Sequence, residues 1–288
     1  MTRFVYIADS HLGSADEGYK LQPKYGDKLP EIIDALDDWI REDGKVDFIL
    51  HGGDMVHVFS QDSLDTARGM FERSVPVYLC VGNHDLTEKG CIEQWLEAAP
   101  EFFPEESADF AIRTDDCVIH VVPSQWDETP YFWGEAQNVH LLESQVEFLE
   151  RGLESDPDKV HVIQTHSPVL GIGTSQTGLD ELFHAPPALF TETVTRIAER
   201  HGVACVLGAH THANMNEERN GVNYVTVSSL VEAPFEFKLF EIDSGTFSMT
   251  THSLWDRVGF EAEYNWNQTF VQGRACDRSF IRRSEDDH

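Results

Sequence analysis

The chain has 288 residues, of which 41% are hydrophobic and 25% charged, and its formal net charge is −30 at pH 7. This composition is typical of a soluble globular protein, and no apolar run approaches the roughly 18 residues that a membrane span needs. The large excess of acid argues against a long nucleic acid as the main substrate, because a nucleic-acid surface normally needs a basic face.

Strands and helices alternate in the first third of the chain. Predicted strands cover residues 4–8, 46–50 and 75–81, and predicted helices cover residues 30–42, 62–73 and 90–99. The first helix rests on apolar residues at helical spacing from Ile32 to Ile40, with Pro30 at a favourable first position. Such alternation predicts a core of parallel βαβ units.

The pattern changes after residue 108. Residues 109–113 and 117–122 predict a β-hairpin. Further predicted elements are a helix at 142–153, a strand at 160–164, a helix at 190–200, a strand at 203–207, and antiparallel strands at 223–227, 235–242 and 247–251. The later hairpins predict a second, mixed sheet packed against the parallel core. No linker-like stretch separates the two halves, so we expect one catalytic domain over residues 1–260.

The cysteines and the first residues of the chain give an expectation for the cellular compartment. Three of the five cysteines, Cys80, Cys117 and Cys205, lie in predicted strands and indicate small buried thiols in a reducing compartment. The first strand begins at residue 4, with no charged segment followed by an apolar one, so we expect no secretory signal. Together these features predict a cytoplasmic protein.

The most informative stretch is Gly82-Asn83-His84-Asp85, which closes the apolar strand at residues 75–81. An amide, an imidazole and a carboxylate in succession suit a loop at a strand end, where α/β proteins place their chemistry. Four other polar stretches also follow predicted strands: Asp9-Ser10-His11, Gly52-Gly53-Asp54, Thr165-His166 and His210-Thr211-His212.

These strand-end residues have the composition of a metal site. The carboxyl ends of strands in one sheet converge, so residues distant in sequence can meet there. Oxygen and nitrogen donors without a thiolate suit Mn, Fe or Zn, and seven donors suffice for two ions with open positions. Any one histidine would more often be an ordinary surface or hydrogen-bonded residue, but nine polar residues at five strand ends form a pattern. Asp54 stands alone on its strand and is the natural bridging ligand.

The ordered series Asp-x-His, Gly-Asp, Gly-Asn-His-Asp, His and His-x-His resembles the calcineurin-like metallophosphoesterase family over residues 9–212. The resemblance implies an α/β fold, a four-layer α-β-β-α sandwich of two mixed β-sheets flanked by helices. It implies one metal held by Asp9, His11, Asp54 and His212, and a second held by Asp54, Asn83, His166 and His210. It also implies that His84 is a catalytic histidine outside the ligand set, with Asp85 orienting its ring.

Two such ions can activate a bridging water and clamp the phosphoryl oxygens. The hydroxide would attack phosphorus, while His84 stabilises the oxygens or protonates the leaving group. We therefore expect a hydrolase that acts as a phosphodiesterase on a small phosphoester. A weaker likeness over residues 124–243 is to class III cyclic-nucleotide phosphodiesterases. It rests on Gln145, Pro168 and Pro234, whereas Ser167 and Ala209 depart from the pattern of that branch.

The substrate itself stays open in the sequence. Candidate substrate-binding residues are His57, Trp126, Phe132 and Trp133, and the aromatic ones could equally form a packed loop cluster. One alternative function is a nuclease, because residues 9–13 also resemble the repair-nuclease branch of the family. Another is a metal-free scaffold of the kind found in retromer, against which the full set of ligands counts.

Residues 261–288 are expected to form a C-terminal extension. They carry aromatic side chains, including Trp266 and Phe280, beside an arginine cluster in an otherwise acidic chain. Aromatic rings gain free energy by burial, so we expect this extension to pack on the catalytic domain or on a second subunit. The second arrangement would make the protein a homo-oligomer.

Overall fold

The computed structural model describes residues 1–15, 19–243 and 245–283. Its strands are β1 (Thr2–Ile7), β2 (Phe48–His51), β3 (Val77–Leu79), β4 (Phe110–Arg113), β5 (Cys117–Val121), β6 (Val160–Gln164), β7 (Cys205–Gly208), β8 (Met215–Arg219), β9 (Val222–Thr226), β10 (Glu236–Ile242), β11 (Thr246–Ser253) and β12 (Ser279–Arg283). Its α-helices are α1 (Leu29–Asp43), α2 (Gln61–Phe71), α3 (Cys91–Ala98), α4 (Glu143–Ser155), α5 (Thr174–Thr177), α6 (Ala188–Arg200) and α7 (Ala275–Arg278). Short 3-10 helices cover Gly26–Lys28, His84–Leu86, Pro100–Phe102 and Thr269–Gln272.

The first sheet has the strand order β12-β11-β10-β1-β2-β3. Strands β1, β2 and β3 are parallel, and α1 and α2 connect them, which confirms the predicted βαβ core. The helix α1 buries the apolar stripe that predicted it, including Ile32, Leu36 and Ile40. All six residues of β1 are buried, because one face meets these helices and the other faces the second sheet.

The second sheet has the order β4-β5-β6-β7-β9-β8 and is parallel from β5 through β9. Helices α4 and α6 make its crossover connections. The Tyr6 hydroxyl on β1 donates to the Gly208 carbonyl on β7 at 2.8 Å and so joins the two sheets through the core. The predicted four-layer sandwich of two mixed sheets flanked by helices is confirmed.

Two details of the predicted topology were wrong. The hairpin β10–β11 belongs to the first sheet, where β10 pairs antiparallel with β1, and not to the second sheet. The strand β9 pairs parallel with β7, and its antiparallel partner β8 escaped prediction. The reason is that β8 has the polar sequence Met215-Asn216-Glu217-Glu218-Arg219 of an exposed edge strand, without an apolar alternation.

Cysteine burial agrees with the sequence: Cys80, Cys117 and Cys205 are buried free thiols. Among the residues that the structure describes, no helix is both long and apolar enough to cross a membrane.

The C-terminal segment contacts both sheets. The strand β12 pairs antiparallel with β11 of the first sheet, while the Arg282 guanidinium donates to the Ala204 carbonyl, next to β7 of the second sheet, at 2.9 Å. On α7, the Asp277 carboxylate accepts the backbone N–H of Asn216 on β8 at 3.0 Å. Residues 284–288 of the predicted extension lie outside the described residues. The division into a domain of residues 1–260 and an extension of residues 261–288 stays a prediction.

These contacts predict the effect of truncation. A chain ending at Gly259 loses β12 and the Arg278 guanidinium, which pairs with the buried Glu236 carboxylate at 2.7 Å. We expect its melting temperature to fall by about 10 °C or more, because a buried charge left without its partner costs roughly 3–5 kcal/mol. The single change Arg278→Met should reproduce part of that loss in differential scanning calorimetry. A truncated chain that melts at the temperature of the full chain would show that the segment adds no stability.

Candidate metal centre

The polar residues predicted at five strand ends come together at one edge of the sandwich. Asp9 and His11 follow β1, Asp54 follows β2, Asn83 and His84 follow β3, His166 follows β6, and His210 and His212 follow β7. Neighbouring strand-end loops hold one another through their backbones. The N–H groups of Asp9 and His11 donate to the carbonyls of Gly53 and Asp54, each at 2.9 Å. The sequence-predicted site is therefore assembled by hydrogen bonding between adjacent loops.

One cluster consists of Asp9, His11 and His212, whose potential ligand atoms all lie within 4.8 Å of one another. The Nε2 atoms of His11 and His212 are 3.1 Å apart, and Nε2 of His212 is 3.7 Å from Oδ1 of Asp9. Two imidazole nitrogens and a carboxylate oxygen converging on one point are a typical arrangement for a transition-metal ion.

A second cluster consists of Asp54, His166 and His210, with ligand atoms again within 4.8 Å of one another. The Asp54 Oδ2 atom is 3.3 Å from Nε2 of His166 and 3.8 Å from Nε2 of His11, so it faces both clusters. The Asn83 side-chain oxygen lies 3.0 Å from Nδ1 of His210 and joins the second cluster. The two clusters correspond to the two ligand sets that the resemblance implies.

Unsatisfied polar atoms indicate that the clusters fit cations. Asp9 Oδ1 is buried and has no hydrogen-bond partner, and the buried His166 Nε2 makes no well-formed hydrogen bond although Oδ2 of Asp54 lies 3.3 Å away. A buried polar atom without a partner costs about 1–3 kcal/mol, and such atoms are rare in folded proteins. Both atoms point into the clusters, and a cation bound there would satisfy them.

The backbone at these positions is also unusual. Five of the seven predicted ligands have a left-handed backbone with positive φ: Asp9, His11, Asp54, His210 and His212, at 43° to 64°. Non-glycine residues rarely adopt this conformation, which costs free energy and persists where the surroundings enforce it, commonly at functional sites. Its concentration in the ligand set indicates that the loops are shaped to direct these side chains to one place.

The site is electrostatically coupled. Burial alone would raise the pKa of Asp54, but His166 and the other nearby imidazoles hold it well below its ordinary value. Burial likewise would lower the pKa of His166, and the facing Asp54 raises it to about 9. Burial lowers the pKa of His11 and of His210 well below the usual range, so both imidazoles are held neutral. His11, His210 and the ionised Asp54 therefore have the protonation states that a metal ion requires, whereas a metal ion would have to displace the proton of His166.

Two glycines make room for the ligands. A Cβ atom on Gly53, whose φ is +110°, would collide with Nδ1 of His166, and a Cβ on Gly82 would collide with the Asp54 carboxylate. Glycine is therefore required before Asp54 and before Asn83 by the close approach of side chains, as well as by the φ of Gly53.

The His84 ring lies beside the clusters. Its Nδ1 atom donates to the His57 carbonyl at 2.7 Å, which leaves Nε2 for the cavity. That Asp85 orients this ring stays a prediction. The Asp85 carboxylate accepts the backbone N–H groups of Val56 at 2.9 Å and Gly82 at 2.8 Å, and so ties together the loops after β2 and β3. Because Asp85 is fully buried beside the Asp54 charge, its pKa is raised to about 7.

Residues of both clusters line a cavity of about 410 Å³: His11, Asp54, His210 and His212. Of the predicted substrate-binding residues, His57 and Trp133 line it. Trp126 is fully buried and packs on the rings of His166 and His210, at centroid distances of 6.0 and 4.9 Å. Phe132 lies under the Lys89 ammonium, outside the described lining of the cavity.

The cavity also has lining residues that the sequence did not single out: Tyr19, Lys24, Gln137, Phe183, His184 and Thr211. Most of them lie on irregular loops, where no periodicity or motif marks a functional side chain. Among them, the His184 ring stands 4.7 Å from that of His210. The sequence feature that could have pointed to Phe183 and His184 is the glycine- and proline-rich loop that follows His166.

A family model described as calcineurin-like phosphoesterase matches residues 2–214, a range that contains all seven predicted ligands. The chain belongs to the calcineurin-like phosphoesterase family. The resemblance drawn from the strand-end motifs is thereby confirmed, and the chain is placed among the metal-dependent phosphoesterases. Its assignment to the class III branch stays a prediction.

Three similar proteins match either a limited part of this chain or the whole fold at low sequence identity. The DNA double-strand break repair protein Mre11 of Haloferax volcanii is 30% identical over 105 residues, 34% of this chain and 22% of that protein. Purple acid phosphatase PPD1 from yellow lupin (Lupinus luteus) superposes with a TM-score of 0.65 at 17% identity, over 97% of this chain and 53% of that one. GAP50, the anchor in the inner membrane complex of Plasmodium, superposes at 0.60 and 11% identity, over 96% and 90%.

The chain thus spans about a fifth of the Mre11 protein and about half of the lupin phosphatase. At these identities the two solved structures support the shared fold alone. What the calcineurin-like phosphoesterase described here acts on has to be argued from its own cavity.

Proposed function

We propose that this phosphoesterase hydrolyses a small phosphoester, as a phosphodiesterase, with two metal ions. The observation that carries the proposal is the position of Asp54, whose Oδ2 atom faces His166 of one cluster and His11 of the other. Asp9, His11, Asp54 and His212 would hold one ion, and Asp54, Asn83, His166 and His210 the other. Mn, Fe or Zn would suit these donors.

Two cations held there would supply Lewis-acid stabilisation of the phosphoryl oxygens and would lower the pKa of water. The chain supplies the rest of the site. His84 presents Nε2 to the cavity while the His57 carbonyl fixes its ring. That nitrogen can stabilise a phosphoryl oxygen or hand a proton to the leaving group. Trp133, whose ring centroid is 4.8 Å from that of His84, shields this side of the cavity from water.

The dimensions and charge of the cavity favour a small substrate. Its volume of about 410 Å³ suits a molecule of ordinary ligand size. The rings of Trp133 and Phe183 offer apolar walls for a leaving group. The Lys24 side chain brings positive charge near His57, whose pKa is lowered mainly by burial and further by the neighbouring His84 and Lys24. The net charge of −30 opposes a long polyanion.

A nuclease is the second candidate, because the partial match to Mre11 is at 30% identity. A repair nuclease must accept a DNA strand, which requires a groove with basic side chains along the backbone path. The net charge of −30 counts against such a path. A metal-free scaffold, the third alternative, has no use for two ligand clusters with unsatisfied buried atoms.

Hydrolysis of a substrate panel by the Mn²⁺-loaded protein tests the proposal. The panel contains bis(p-nitrophenyl) phosphate, p-nitrophenyl phosphate, a cyclic nucleotide and single-stranded DNA. We expect the small diesters to be cleaved with the highest kcat/KM, and we expect cleavage to stop when a chelator removes the metal. Preferred cleavage of DNA would favour the nuclease, and a folded protein that neither binds metal nor cleaves any ester of the panel would favour the metal-free scaffold.

The wall formed by Trp133 predicts a difference between leaving groups. In Trp133→Ala, we expect KM for an aryl phosphodiester to rise by roughly 3- to 10-fold, because an aromatic contact is worth about 0.5–1.5 kcal/mol. A methyl phosphodiester, which has no ring to lose, should show a smaller change. Phe132→Ala is the matched control, since Phe132 lies outside the described lining. Equal changes for both esters would mean that Trp133 acts only through the packing of His84.

A cytoplasmic location, the identity of the metals and the oligomeric state stay predictions.

A further inference from the structure

Glu232 is a buried carboxylate that no sequence motif marked, and it lies directly behind the metal centre. Glu232 lies six residues after the end of strand β9, and it is 1% exposed. Its Oε1 atom is 2.6 Å from Nδ1 of His212. Burial alone would lower the pKa of His212, but the carboxylates of Glu232 and Asp9 raise it.

The other carboxylate oxygen holds a different part of the molecule. Oε2 of Glu232 accepts the backbone N–H groups of Leu21 and Gln22, at 2.9 and 2.7 Å. These residues belong to the segment of residues 19–24, which carries the cavity-lining Tyr19 and Lys24. One buried side chain therefore contacts both a predicted metal ligand and the loop that forms one wall of the cavity.

We propose that Glu232 is a positioning residue that fixes His212 for metal binding and couples it to the cavity wall of residues 19–24. By accepting the Nδ1 proton, the carboxylate selects the tautomer of His212 whose Nε2 lone pair faces Asp9 and His11. Partners of this kind on a histidine ligand set both its tautomer and its ring orientation. The proposal rests on the proposed function only in taking His212 as a ligand.

The chemistry of an amide explains why Glu232→Gln should break this arrangement. A carboxylate offers two acceptors, whereas an amide has one acceptor oxygen and one NH₂ donor. If the amide oxygen turned to Leu21 and Gln22, the NH₂ group would face Nδ1 of His212 and force the proton onto Nε2, which blocks metal binding. If the oxygen turned to His212, the NH₂ group would face two N–H donors and push the segment away from the cavity.

Binding of Mn²⁺ to the wild type and to Glu232→Gln tests the proposal by calorimetry and by elemental analysis after dialysis. We expect one of the two ions to bind 10- to 100-fold more weakly in the variant, the usual cost of losing such a partner. Hydrogen exchange at the amides of Leu21 and Gln22 should become faster. Failure of the wild type to bind two ions would refute the proposed function and, with it, the role of Glu232 in metal binding. A wild type that binds two ions and a Glu232→Gln protein that binds both equally well would overturn the positioning role alone.

Gln22→Ala is the matched control. The Gln22 side chain bonds to the backbone of Asn265 and Gln268, and the change leaves the backbone N–H of Gln22 in place for Glu232. This change should weaken the attachment of residues 19–24 to the segment around Asn265 and Gln268, while both ions bind normally. If Gln22→Ala weakened the same ion as much as Glu232→Gln, general loosening of the segment would replace the role of Glu232.

A measurement without a variant keeps the proposal testable if Glu232→Gln does not fold. The ¹⁵N chemical shifts of the His212 ring in the metal-free wild-type protein report which nitrogen carries the proton. We expect Nδ1 to be protonated in a hydrogen bond to Glu232. A neutral ring protonated on Nε2 would overturn the proposal.

Discussion

The change Asp54→Asn should remove most of both metal ions from the protein and reduce turnover by about 10³-fold or more, equivalent to roughly 4 kcal/mol or more. The geometry gives the reason. Oδ1 of Asp54 accepts the backbone N–H of His84 at 2.8 Å, and an asparagine oxygen would keep that bond. The asparagine NH₂ group would then replace Oδ2, the atom that faces His11 and His166. An amide nitrogen in that place cannot serve either ion.

Asp9→Asn is the matched control for this experiment, because Asp9 belongs to one cluster only. Its Oδ2 atom accepts the backbone N–H of His210 at 3.2 Å, and its Oδ1 atom faces His212. We expect this variant to keep one ion near its normal affinity and to weaken the other. Elemental analysis after dialysis measures both outcomes, with circular dichroism to check folding. Two ions per chain retained in Asp54→Asn would refute the shared role of Asp54.

The strand-end motifs could be found in the sequence because parallel strands impose a simple rule. Within each sheet the carboxyl ends of neighbouring parallel strands meet at one edge, so the motifs of that sheet were expected close together. The packing of the two sheets then brings their edges together: His11 follows β1 of the first sheet and His212 follows β7 of the second, and their Nε2 atoms are 3.1 Å apart. The same packing places Asp54, after β2, beside His166, after β6. The fold class followed from strand–helix alternation and from the family resemblance that these motifs carry.

Other features depend on contacts that have no local signature. Glu232 lies in an irregular segment beyond β9, and only the folded chain brings it to His212. The Asp85 carboxylate accepts two backbone N–H groups of adjacent loops, and nothing in the sequence around it predicts those partners. The sequence pattern of the hairpin β10–β11 could not assign it to a sheet, because a strand of either sheet would bury the same apolar side chains.

The ligand residues with a left-handed backbone show how sequence motifs and tertiary contacts act together. Asp9, His11 and Asp54 are directed into the centre by backbone conformations that their own side chains disfavour. Sequence periodicity cannot reveal such positions, since the conformation is enforced by hydrogen bonds between loops from different strands. The sequence therefore identifies the residues available for the metal centre, while tertiary contacts determine the orientation of their side chains.

His84→Ala should reduce kcat by about 10²- to 10⁴-fold while both metal ions remain bound, because the ring acts on the phosphoryl group and not on the metals. The His84 ring stands against those of His11 and His57, with centroids 4.7 Å apart in each case, and lines the cavity. Steady-state kinetics with bis(p-nitrophenyl) phosphate measure the fall in turnover, and elemental analysis of the same sample measures the metals.

Metal content decides between two roles for this ring. Nitrogen atoms of His11, His57 and His84 also lie within 4.8 Å of one another, so a third cluster of potential ligands exists beside the other two. If His84 were a ligand, His84→Ala would lose an ion, and the catalytic role would be refuted. His57→Ala is the matched control: it removes the neighbouring imidazole but keeps the backbone carbonyl that holds Nδ1 of His84. It should keep both ions and lose less than about 10-fold in kcat, since the catalytic nitrogen stays in place. Near-normal turnover in His84→Ala would remove this histidine from the chemical step.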